Sequence, residues 1–366
     1  MLGAKSVPAM GGIARYVEEL GARLALRAHD VTVYCRPHYA GRTPDPYRGM
    51  RRVVTRGLRG KHLDALTHTA TAALHALRSD AQIVHIHGVG PGCAAPVFRA
   101  KPGVRVIATV HGPEWRASKW SALAAGAIRL GTRLADSSVD AVTAVSEAVQ
   151  AEYLALTGRR PCYIPTGVTI PDIVEARDIH ELGLSAGGYV LCAARLVPEK
   201  GVHYLTEAFR DLDTDKQLVI AGDSPHDGPY VRRLREQAGP SVRFVGYVTG
   251  RLLAELYGNA LFYVQPSEIE GLSISVLESL SYGRCVLASD IPTNVEALGE
   301  CGYTFRSGDI ADLRAKMRIL LDNPAQCEAQ FARTREYLAR ERNWDATTDQ
   351  FEELYEAVLS SRGRQR

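Results

Sequence analysis

Short apolar, β-branched runs alternate with longer amphipathic stretches along the first half of the chain. Helical periodicity occurs near residues 12–28, 61–78, 116–136 and 146–156, and the apolar runs between these stretches are predicted strands. The predicted strands are Val31–Cys35, Val53–Thr55, Ile83–Ile86, Val104–Val110, Ala141–Val145 and Tyr163–Ile164. Alternation of strands and helices is typical of parallel α/β architecture.

A second alternating series follows a stretch of turn composition at residues 166–178, which is the predicted linker. Its predicted strands are Tyr189–Ala193, Leu218–Ala221, Val242–Val245, Leu261–Val264, Cys285–Ala288 and Tyr303–Phe305, and a helical run extends from about residue 309. The pattern therefore predicts two doubly wound, Rossmann-like α/β domains. We expect them to face each other across a cleft between the carboxyl ends of their sheets, where ligands bind.

The strand that opens the chain is predicted at Met1 to Ala4 only. It is either a short strand or one whose true start lies a few codons upstream. The question matters because this strand supports the glycine loop at Gly11-Gly12.

The amino-acid composition is that of a globular protein. The chain has 366 residues, 46% hydrophobic and 23% charged, as expected for a soluble protein of two domains. Its seven cysteines are scattered without a C-x-x-C pair, which favours a reducing compartment over a disulfide framework or a zinc site. No apolar run approaches the roughly 18 residues of a membrane span, and no leader pattern is found. We expect a cytoplasmic protein.

Charge is distributed unevenly along the chain. Residues 1–136 hold 20 Lys and Arg against 8 Asp and Glu, whereas residues 137–366 hold 24 against 33. A basic first half indicates an anionic partner, such as a phospholipid surface or a phosphate-bearing acceptor, or else a solvated face that serves solubility. Nucleic acid is not expected, since no reading element accompanies the charge. Six of the basic residues cluster in the sequence: Arg48, Arg51, Arg52, Arg56, Arg59 and Lys61.

The densest group of candidate site residues lies in the stretch from Gln265 to Glu278. Glu270 ends a loop after an apolar strand, and Glu278 lies on the helix that follows. The N–H groups at the start of such a helix have no intrahelical acceptors and suit phosphates and hydroxyls. The spacing of two glutamates alone is uninformative. The stretch indicates a binding site because of what flanks the glutamates: an apolar strand, Pro-Ser, Glu-Gly and a helix.

Two features of the first half are candidates for ligand contact. Gly11-Gly12 precedes a helix and lets the backbone approach a ligand, or forms a tight turn; it is not the spaced glycine motif of a dinucleotide site. His111 follows the strand ending at Val110 and is either a binding residue or a turn cap. His85 and His87 alternate on the preceding strand, but no carboxylate or cysteine ligands accompany them, so no metal is predicted there.

Two cations in the second half are candidates for binding a diphosphate. Arg195 and Lys200 stand five residues apart in a loop that ends in glycine, and together they offset charge on a leaving group unless the loop is merely solvated. Gly222 lies in the next loop of the same series. Asp211-Leu212-Asp213 has the D-x-D form of some metal sites, but its charged flanks indicate a solvated turn, and no metal is predicted.

Taken together, these residues resemble the retaining family-four glycosyltransferases of the GT-B fold. The resemblance covers nearly the whole chain and rests on the order of its motifs: Gly11-Gly12, His111, Pro165-Thr166-Gly167-Val168, Arg195 with Lys200, Glu270 to Glu278, and Arg342-Asn343-Trp344-Asp345. It implies an acceptor-binding domain at residues 1–168, a nucleotide-sugar-binding domain at 169–345, and a last helix at 346–366 that returns to the first domain. This sequence has Thr166 and Ser224 where the family often has Asn and Gly.

The resemblance implies roles for the candidate residues. Glu278 would bind the ribose and Glu270 a sugar hydroxyl. The backbone at Gly271, Leu272, Ser273 and Ile274 would face the diphosphate that Arg195 and Lys200 neutralise. His111 would approach the transferred sugar, and Gly12 the diphosphate or the acceptor. The family is thought to retain anomeric configuration through a front-side displacement, with Glu270 as a covalent nucleophile the less favoured alternative. No metal or cofactor is expected.

The resemblance leaves several points open. The donor is a UDP-, GDP- or dTDP-sugar, and the acceptor is a hydroxyl compound, lipid-linked or anionic, with peripheral contact at the inner face of the membrane among the options. Polysaccharide assembly and secondary-metabolite glycosylation are both compatible with the motifs. Two alternatives share the fold: a nucleotide-sugar epimerase and a non-catalytic nucleotide-sugar-binding protein.

Overall fold

The chain folds into two compact units. The computed structural model describes residues 1–8, 11–58, 63–116, 121–172, 174–224 and 228–361. One unit is Met1–Gly167 together with Asn343–Arg366, and the other is Val168–Arg342. The boundaries at 167/168 and 342/343 compare with predicted boundaries at 168/169 and 345/346.

The first unit is built on parallel strands. A four-stranded sheet has the order β3 (Ile83–His87), β4 (Arg105–Val110), β5 (Ala141–Ala144), β6 (Cys162–Tyr163), and a separate parallel pair is formed by β1 (Thr32–Cys35) and β2 (Arg51–Val54). Most residues of β3 and β4 are buried, as expected for strands covered by helices on both faces. The helices are α1 (Gly12–Leu26), α2 (Leu63–Leu77), α3 (Val89–Gly92), α4 (Ala95–Phe98), α5 (Ala122–Asp136) and α6 (Glu147–Thr157).

The first residues of the chain join these two sets of strands. Leu2 donates its N–H to the carbonyl of His85 and accepts from the N–H of His87, while Tyr34 donates to the carbonyl of Met1. The predicted opening strand is therefore a single parallel bridge between Leu2 and Ile86. Short as it is, it lies between β1 and β3 and connects them through backbone hydrogen bonds.

The second unit has one six-stranded parallel sheet. The strands are β7 (Tyr189–Ala193), β8 (Gln217–Ala221), β9 (Val242–Gly246), β10 (Phe262–Gln265), β11 (Cys285–Ser289) and β12 (Tyr303–Phe305), in the spatial order β12-β11-β10-β7-β8-β9. Chain order reverses between β7 and β10, the point at which doubly wound sheets bind ligands. The helices are α7 (Asp178–Glu181), α8 (Val202–Arg210), α9 (Pro229–Gln237), α10 (Gly250–Asn259), α11 (Ile274–Ser281), α12 (Pro292–Leu298), α13 (Ile310–Asp322), α14 (Pro324–Glu328) and α15 (Gln330–Glu341).

The last helix, α16 (Trp344–Ser360), packs on α1 of the first unit. Its Trp344 lies against Gly167, where an added Cβ would come within 2.6 Å of the Trp344 backbone. Phe351 is fully buried, and Arg27, which follows α1, donates to Glu352 at 2.5 Å. The prediction of two parallel-sheet α/β domains is confirmed. Within the described part of the chain, no helix has the length and apolar content of a membrane-spanning segment.

Candidate functional site

The turns that follow β7 and β10 lie side by side in the second unit because these two parallel strands are neighbours in the sheet. Glu268 donates its backbone N–H to the carbonyl of Glu199 at 3.0 Å. Gly201 makes the close approach possible: its φ is +64°, and an added Cβ would lie 2.0 Å from the carbonyl oxygen of Pro266. The loop that carries Lys200 is thereby held against the loop that carries Glu270.

The carboxylate of Glu270 is the centre of this arrangement. Its Oε1 accepts from Lys200 Nζ at 2.5 Å, Ser267 Oγ at 2.7 Å and Gln265 Nε2 at 2.9 Å. The Glu270 side chain is only 8% exposed and that of Lys200 15%, so the ion pair is screened little by solvent. None of the described residues donates to Oε2, which leaves this oxygen for a ligand hydroxyl.

A buried polar chain supports Glu270 from beneath. Gln265 is fully buried, and its Oε1 accepts from Ser275 Oγ at 3.0 Å and lies 2.5 Å from the hydroxyl of Tyr263. With its amide oxygen so engaged, the Gln265 NH₂ group is directed at Ser267 and Glu270. Sequence reasoning missed Gln265, Ser267 and Tyr263. The signal that could have found Gln265 and Ser267 is the run of polar residues directly after the predicted strand; Tyr263 lies inside that strand and gives no such signal.

Helix α11 begins beside Glu270. Ser273 is its N-cap residue but makes no side-chain capping bond, so the N–H groups of the first turn are not used by the cap. Leu272 and Ser273 are buried, while Gly271 and Ile274 are half-buried. These four residues were predicted to face a diphosphate, and the structure places them at the positive end of the helix dipole.

Glu278 lies on α11, just over one turn from its start, and is half-buried. Burial raises the pKa of Tyr257 well above its ordinary value, and the charge of Glu278 together with a hydrogen bond to it raises that pKa further. Tyr257 is itself stacked on Tyr282 with ring centroids 5.6 Å apart and an interplanar angle of 6°. A fixed phenol therefore orients Glu278, and Tyr257 is another site residue that sequence reasoning did not find.

Arg195 and Gly222 differ from the rest of the predicted set. Arg195 is exposed, and among the described residues its guanidinium has no hydrogen bond or ion pair, so the structure does not join it to Glu270. Gly222 has φ +141°, and an added Cβ would lie 1.9 Å from the carbonyl oxygen of Ala194. Its role in this structure is to let the end of β8 pass close to the turn after β7.

The predicted residues of the first unit lie at the ends of α1 and β4. Gly12 is the first residue of α1, and Gly11 precedes it with φ +96°; Ala9 and Met10 of the same loop lie outside the described residues. His111 follows β4, is half-buried, and packs edge-on against Tyr16 with ring centroids 4.8 Å apart. Burial lowers the pKa of His111 to about 3, so the ring is neutral near pH 7.

The other two histidines of this region are held by protein groups. His85 contacts the Tyr355 hydroxyl through Nδ1 at 2.7 Å and the Thr109 hydroxyl through Nε2 at 2.6 Å. His87 Nδ1 lies 3.2 Å from His111 Nε2. Within the described residues, no group of three or more His, Cys, Asp or Glu side chains is arranged to hold a metal ion.

Two charged features of the sequence are engaged in the structure. Arg48 is paired with Glu18 and Glu19 at 3.0 and 2.8 Å, and Arg52 donates to two backbone carbonyls. Of the other members of the basic cluster, two are exposed, and Arg59 and Lys61 lie outside the described residues. Asp211 of the D-x-D sequence forms ion pairs, the shorter one with Arg314 at 2.6 Å.

Comparison with known families covers most of the chain. The model of "Glycosyltransferase Family 4" matches residues 10–170, and that of "Glycosyl transferases group 1" matches residues 187–323. The chain is 25% identical over 399 residues to a glycogen synthase of Mycobacterium tuberculosis, covering 95% of this chain and 92% of that protein. It is 26% identical to a GDP-mannose-dependent α-(1-6)-phosphatidylinositol monomannoside mannosyltransferase of Mycolicibacterium smegmatis, covering 88% of each.

The fold matches a solved structure over almost its entire length. Sucrose-phosphate synthase from Thermosynechococcus elongatus superposes with a TM-score of 0.82 at 22% identity, covering 98% of this chain and 96% of that one. Two parallel-sheet α/β domains of the GT-B type are thus shared. With both family models matched in the predicted order, the chain belongs to the family 4, group 1 glycosyltransferases.

Proposed function

We propose that this glycosyltransferase moves a sugar from a nucleotide-sugar donor to an acceptor hydroxyl with retention of anomeric configuration and without a metal ion. The observation that carries the proposal is the Glu270 carboxylate, which accepts from Lys200, Ser267 and Gln265 at the β7/β10 switch point. A single buried carboxylate oriented by three donors is suited to hold a hydroxyl in a fixed position.

The second unit binds the donor in this proposal. The sugar hydroxyl is bound by the free Oε2 of Glu270, and the ribose by Glu278. The N–H groups at residues 271–274 and the cations of Lys200 and Arg195 stabilise the charge that develops on the departing diphosphate. The name of the mycobacterial mannosyltransferase relative specifies GDP-mannose, which supports a nucleotide-sugar donor.

Retention follows from a front-side displacement in this proposal. The bond from the anomeric carbon to the donor phosphate oxygen breaks, and a bond to the acceptor oxygen forms on the same face. The acceptor proton passes to the departing phosphate. In this proposal Glu270 holds a sugar hydroxyl and is not the nucleophile. In this proposal neutral His111 contacts the transferred sugar. Gly12 lies near the diphosphate or the acceptor.

The acceptor side includes an anionic lipid surface in this proposal. Helix α5 exposes Leu123 at 86%, Leu130 at 57% and Leu134 at 64%, and their spacing puts them on one helical face. Arg129 and Arg133 are exposed beside that face. Apolar side chains flanked by cations complement lipid tails beneath negative headgroups. The relative that is named for a phosphatidylinositol mannoside is consistent with a lipid-borne acceptor.

A donor panel tests the proposed function before any acceptor is known. UDP-, GDP- and dTDP-sugars are assayed for slow hydrolysis and for thermal stabilisation, with and without EDTA. We expect one nucleotide class to be hydrolysed, to release sugar of the donor's anomeric configuration, and to be unaffected by EDTA. Inverted product contradicts retention, and loss of activity with EDTA contradicts metal independence.

Replacing Lys200 by Ala tests the leaving-group role. We expect hydrolysis to fall at least about 100-fold, as for loss of a transition-state donor. Lys216→Ala is the matched control, because Lys216 is half-buried in an ion pair with Asp215 at the opposite, amino end of β8. Equal activity of the two variants would contradict the proposed role of Lys200 in stabilising the leaving group. Isomerised donor without nucleotide release would identify an epimerase, and donor binding without turnover a binding protein.

A further inference from the structure

Three histidine rings form a continuous row in the first unit. The rings of His85 and His87 are 4.1 Å apart between centroids, and those of His87 and His111 are 5.4 Å apart. His85 and His87 come from β3, and His111 follows β4, the strand paired with β3. The row therefore runs along the carboxyl end of two neighbouring strands and ends at the half-buried His111.

The ends of this row differ in hydrogen bonding. Both ring nitrogens of His85 are engaged, by the hydroxyls of Tyr355 and Thr109. His87 has a contact at Nδ1, but its buried Nε2 has no hydrogen-bond partner among the described residues. His111 uses Nε2 for His87, and its Nδ1 meets no donor or acceptor in the described part of the chain.

The protonation of the pair follows from this arrangement. Burial lowers the pKa of both His87 and His111, so each ring is neutral and carries one N–H and one lone pair. If His111 donated to His87, the proton of His87 would sit on Nε2 as a buried N–H without an acceptor. If His87 donates instead, only a lone pair is left unpaired, and buried orphan donors are rarer than under-satisfied acceptors.

We propose that His87 is a positioning residue: its Nδ1–H donates to Nε2 of His111 and fixes the His111 proton on Nδ1. Nδ1–H is then presented to an oxygen of the transferred sugar. His111 acts as a hydrogen-bond donor and not as a base, in keeping with proton transfer to the departing phosphate. The assignment of the His111 tautomer does not depend on the reaction. The hydrogen bond from His111 to the sugar rests on the proposed function.

Nitrogen-15 NMR of the unmodified full-length protein tests the tautomer directly. Histidine is labelled with ¹⁵N, and two-bond correlations at pH 7.5 identify the protonated nitrogen of each ring; the spectrum of His111→Asn assigns the His111 signals. We expect His111 to be protonated on Nδ1 and His87 on Nδ1. A His111 protonated on Nε2, or an even mixture of tautomers, overturns the proposal.

Variants of His87 test its control over His111. In His87→Asn the side-chain amide can place a donor near the lost Nδ1–H, whereas His87→Leu has neither donor nor acceptor. We expect Asn to keep the Nδ1–H tautomer and most of the donor hydrolysis. Leu should give mixed tautomers and reduce kcat about 10-fold, the value of one neutral hydrogen bond, with little change in the donor KM. His75→Asn is the control, because His75 of α2 contacts the Tyr34 hydroxyl and not the histidine row.

The outcomes separate the two proposals. A His111 tautomer unchanged by His87→Leu, or equal kcat in the Asn and Leu variants, shows that His87 is only a packing residue. If no nucleotide sugar is hydrolysed by the unmodified protein, the proposed function fails, while the NMR result still decides the tautomer. Should His87→Leu not fold, the spectrum of the unmodified protein and the Asn variant decide the question.

Discussion

The two oxygens of the Glu270 carboxylate lie in different surroundings. One accepts three hydrogen bonds from the protein, and the other accepts none from the described residues. The convergence of Lys200 and Glu270 could be expected from sequence, because their loops follow strands that a doubly wound sheet makes neighbours. The contributions of Gln265 and Tyr257 could not, since each depends on side-chain direction across a contact that no local pattern encodes.

Replacing Gln265 by Leu tests the buried support of Glu270. The change removes a donor to Glu270 and one of the two hydrogen-bond contacts of the Ser275 hydroxyl, which keeps its contact with Ser273. We expect a loss of about 1–3 kcal/mol in the free energy of unfolding, since removing one partner of a buried hydrogen bond costs about that much. Donor hydrolysis should fall as well. Urea unfolding and the hydrolysis assay measure both, and unchanged values for both would contradict the supporting role.

Gly201 offers a matched test of the approach between the two loops. At Gly201 an alanine would have a left-handed φ, and its Cβ would clash with Pro266. At Gly187 an alanine would also have a positive φ, of +69°, but no atom lies within 4 Å of the new Cβ. The control should lose about 1–2 kcal/mol of stability from φ alone. The Gly201 variant should lose about 1–3 kcal/mol more from overpacking, and hydrolysis should fall because Lys200 moves. Equal losses would mean that the Pro266 contact is unimportant.

Helices and strands could be predicted from the sequence where their hydrophobic residues recur with a regular period. The strands found lie within one or two residues of those predicted, with β7 and β12 as predicted. The short helices α3 and α4 were not predicted, because four residues are too few for a helical period to show. The opening strand proved to be a single bridge, since only Leu2 among the first residues pairs with β3.

Helix α5 exposes three leucines on one face. In a test of lipid contact, Leu123, Leu130 and Leu134 are changed together to Ser, and binding to phosphatidylglycerol-containing vesicles is measured by co-sedimentation. We expect binding to weaken more than 10-fold, because each buried leucine contributes about 1.5–3 kcal/mol. Leu26→Ser is the control, since Leu26 is 85% exposed on α1.

Other results of the vesicle experiment are equally informative. Binding of the unmodified protein should require anionic lipid and weaken with salt, because Arg129 and Arg133 flank the leucines. If the leucine variant binds vesicles as the unmodified protein does, the lipid proposal for α5 is wrong. If the unmodified protein dimerises and the variant is monomeric, the face is an interface between two copies.

At the scale of the whole molecule, the histidine row makes stability depend on pH. Burial lowers the pKa of His85, His87 and His111. Below about pH 6.5 the unfolded chain binds protons that the folded protein does not, so stability falls as pH falls. Each neutral histidine contributes about 1.4 kcal/mol per pH unit to that slope, and for His111 this continues down to a pKa of about 3.

Urea unfolding between pH 7.5 and 5 measures this slope, in a range above the titration of ordinary carboxylates. The His111→Asn variant should have a shallower slope by up to about 1.4 kcal/mol per pH unit. Identical slopes for the variant and the unmodified protein would show that His111 does not resist protonation in the folded state. The sequence marked His111 as a candidate, but the row beneath it also depends on Tyr355, which is 270 positions from His85.

Because Tyr355 binds His85 and Phe351 is buried close to it, the first unit lacks part of its core until α16 is present. On the ribosome, residues 168–342 are complete before that helix emerges. The portion of the protein that is synthesised first is therefore the one that finishes folding last. A nascent chain stalled when residues up to 343 have left the ribosomal exit tunnel should contain a protease-resistant second unit and a protease-sensitive first unit.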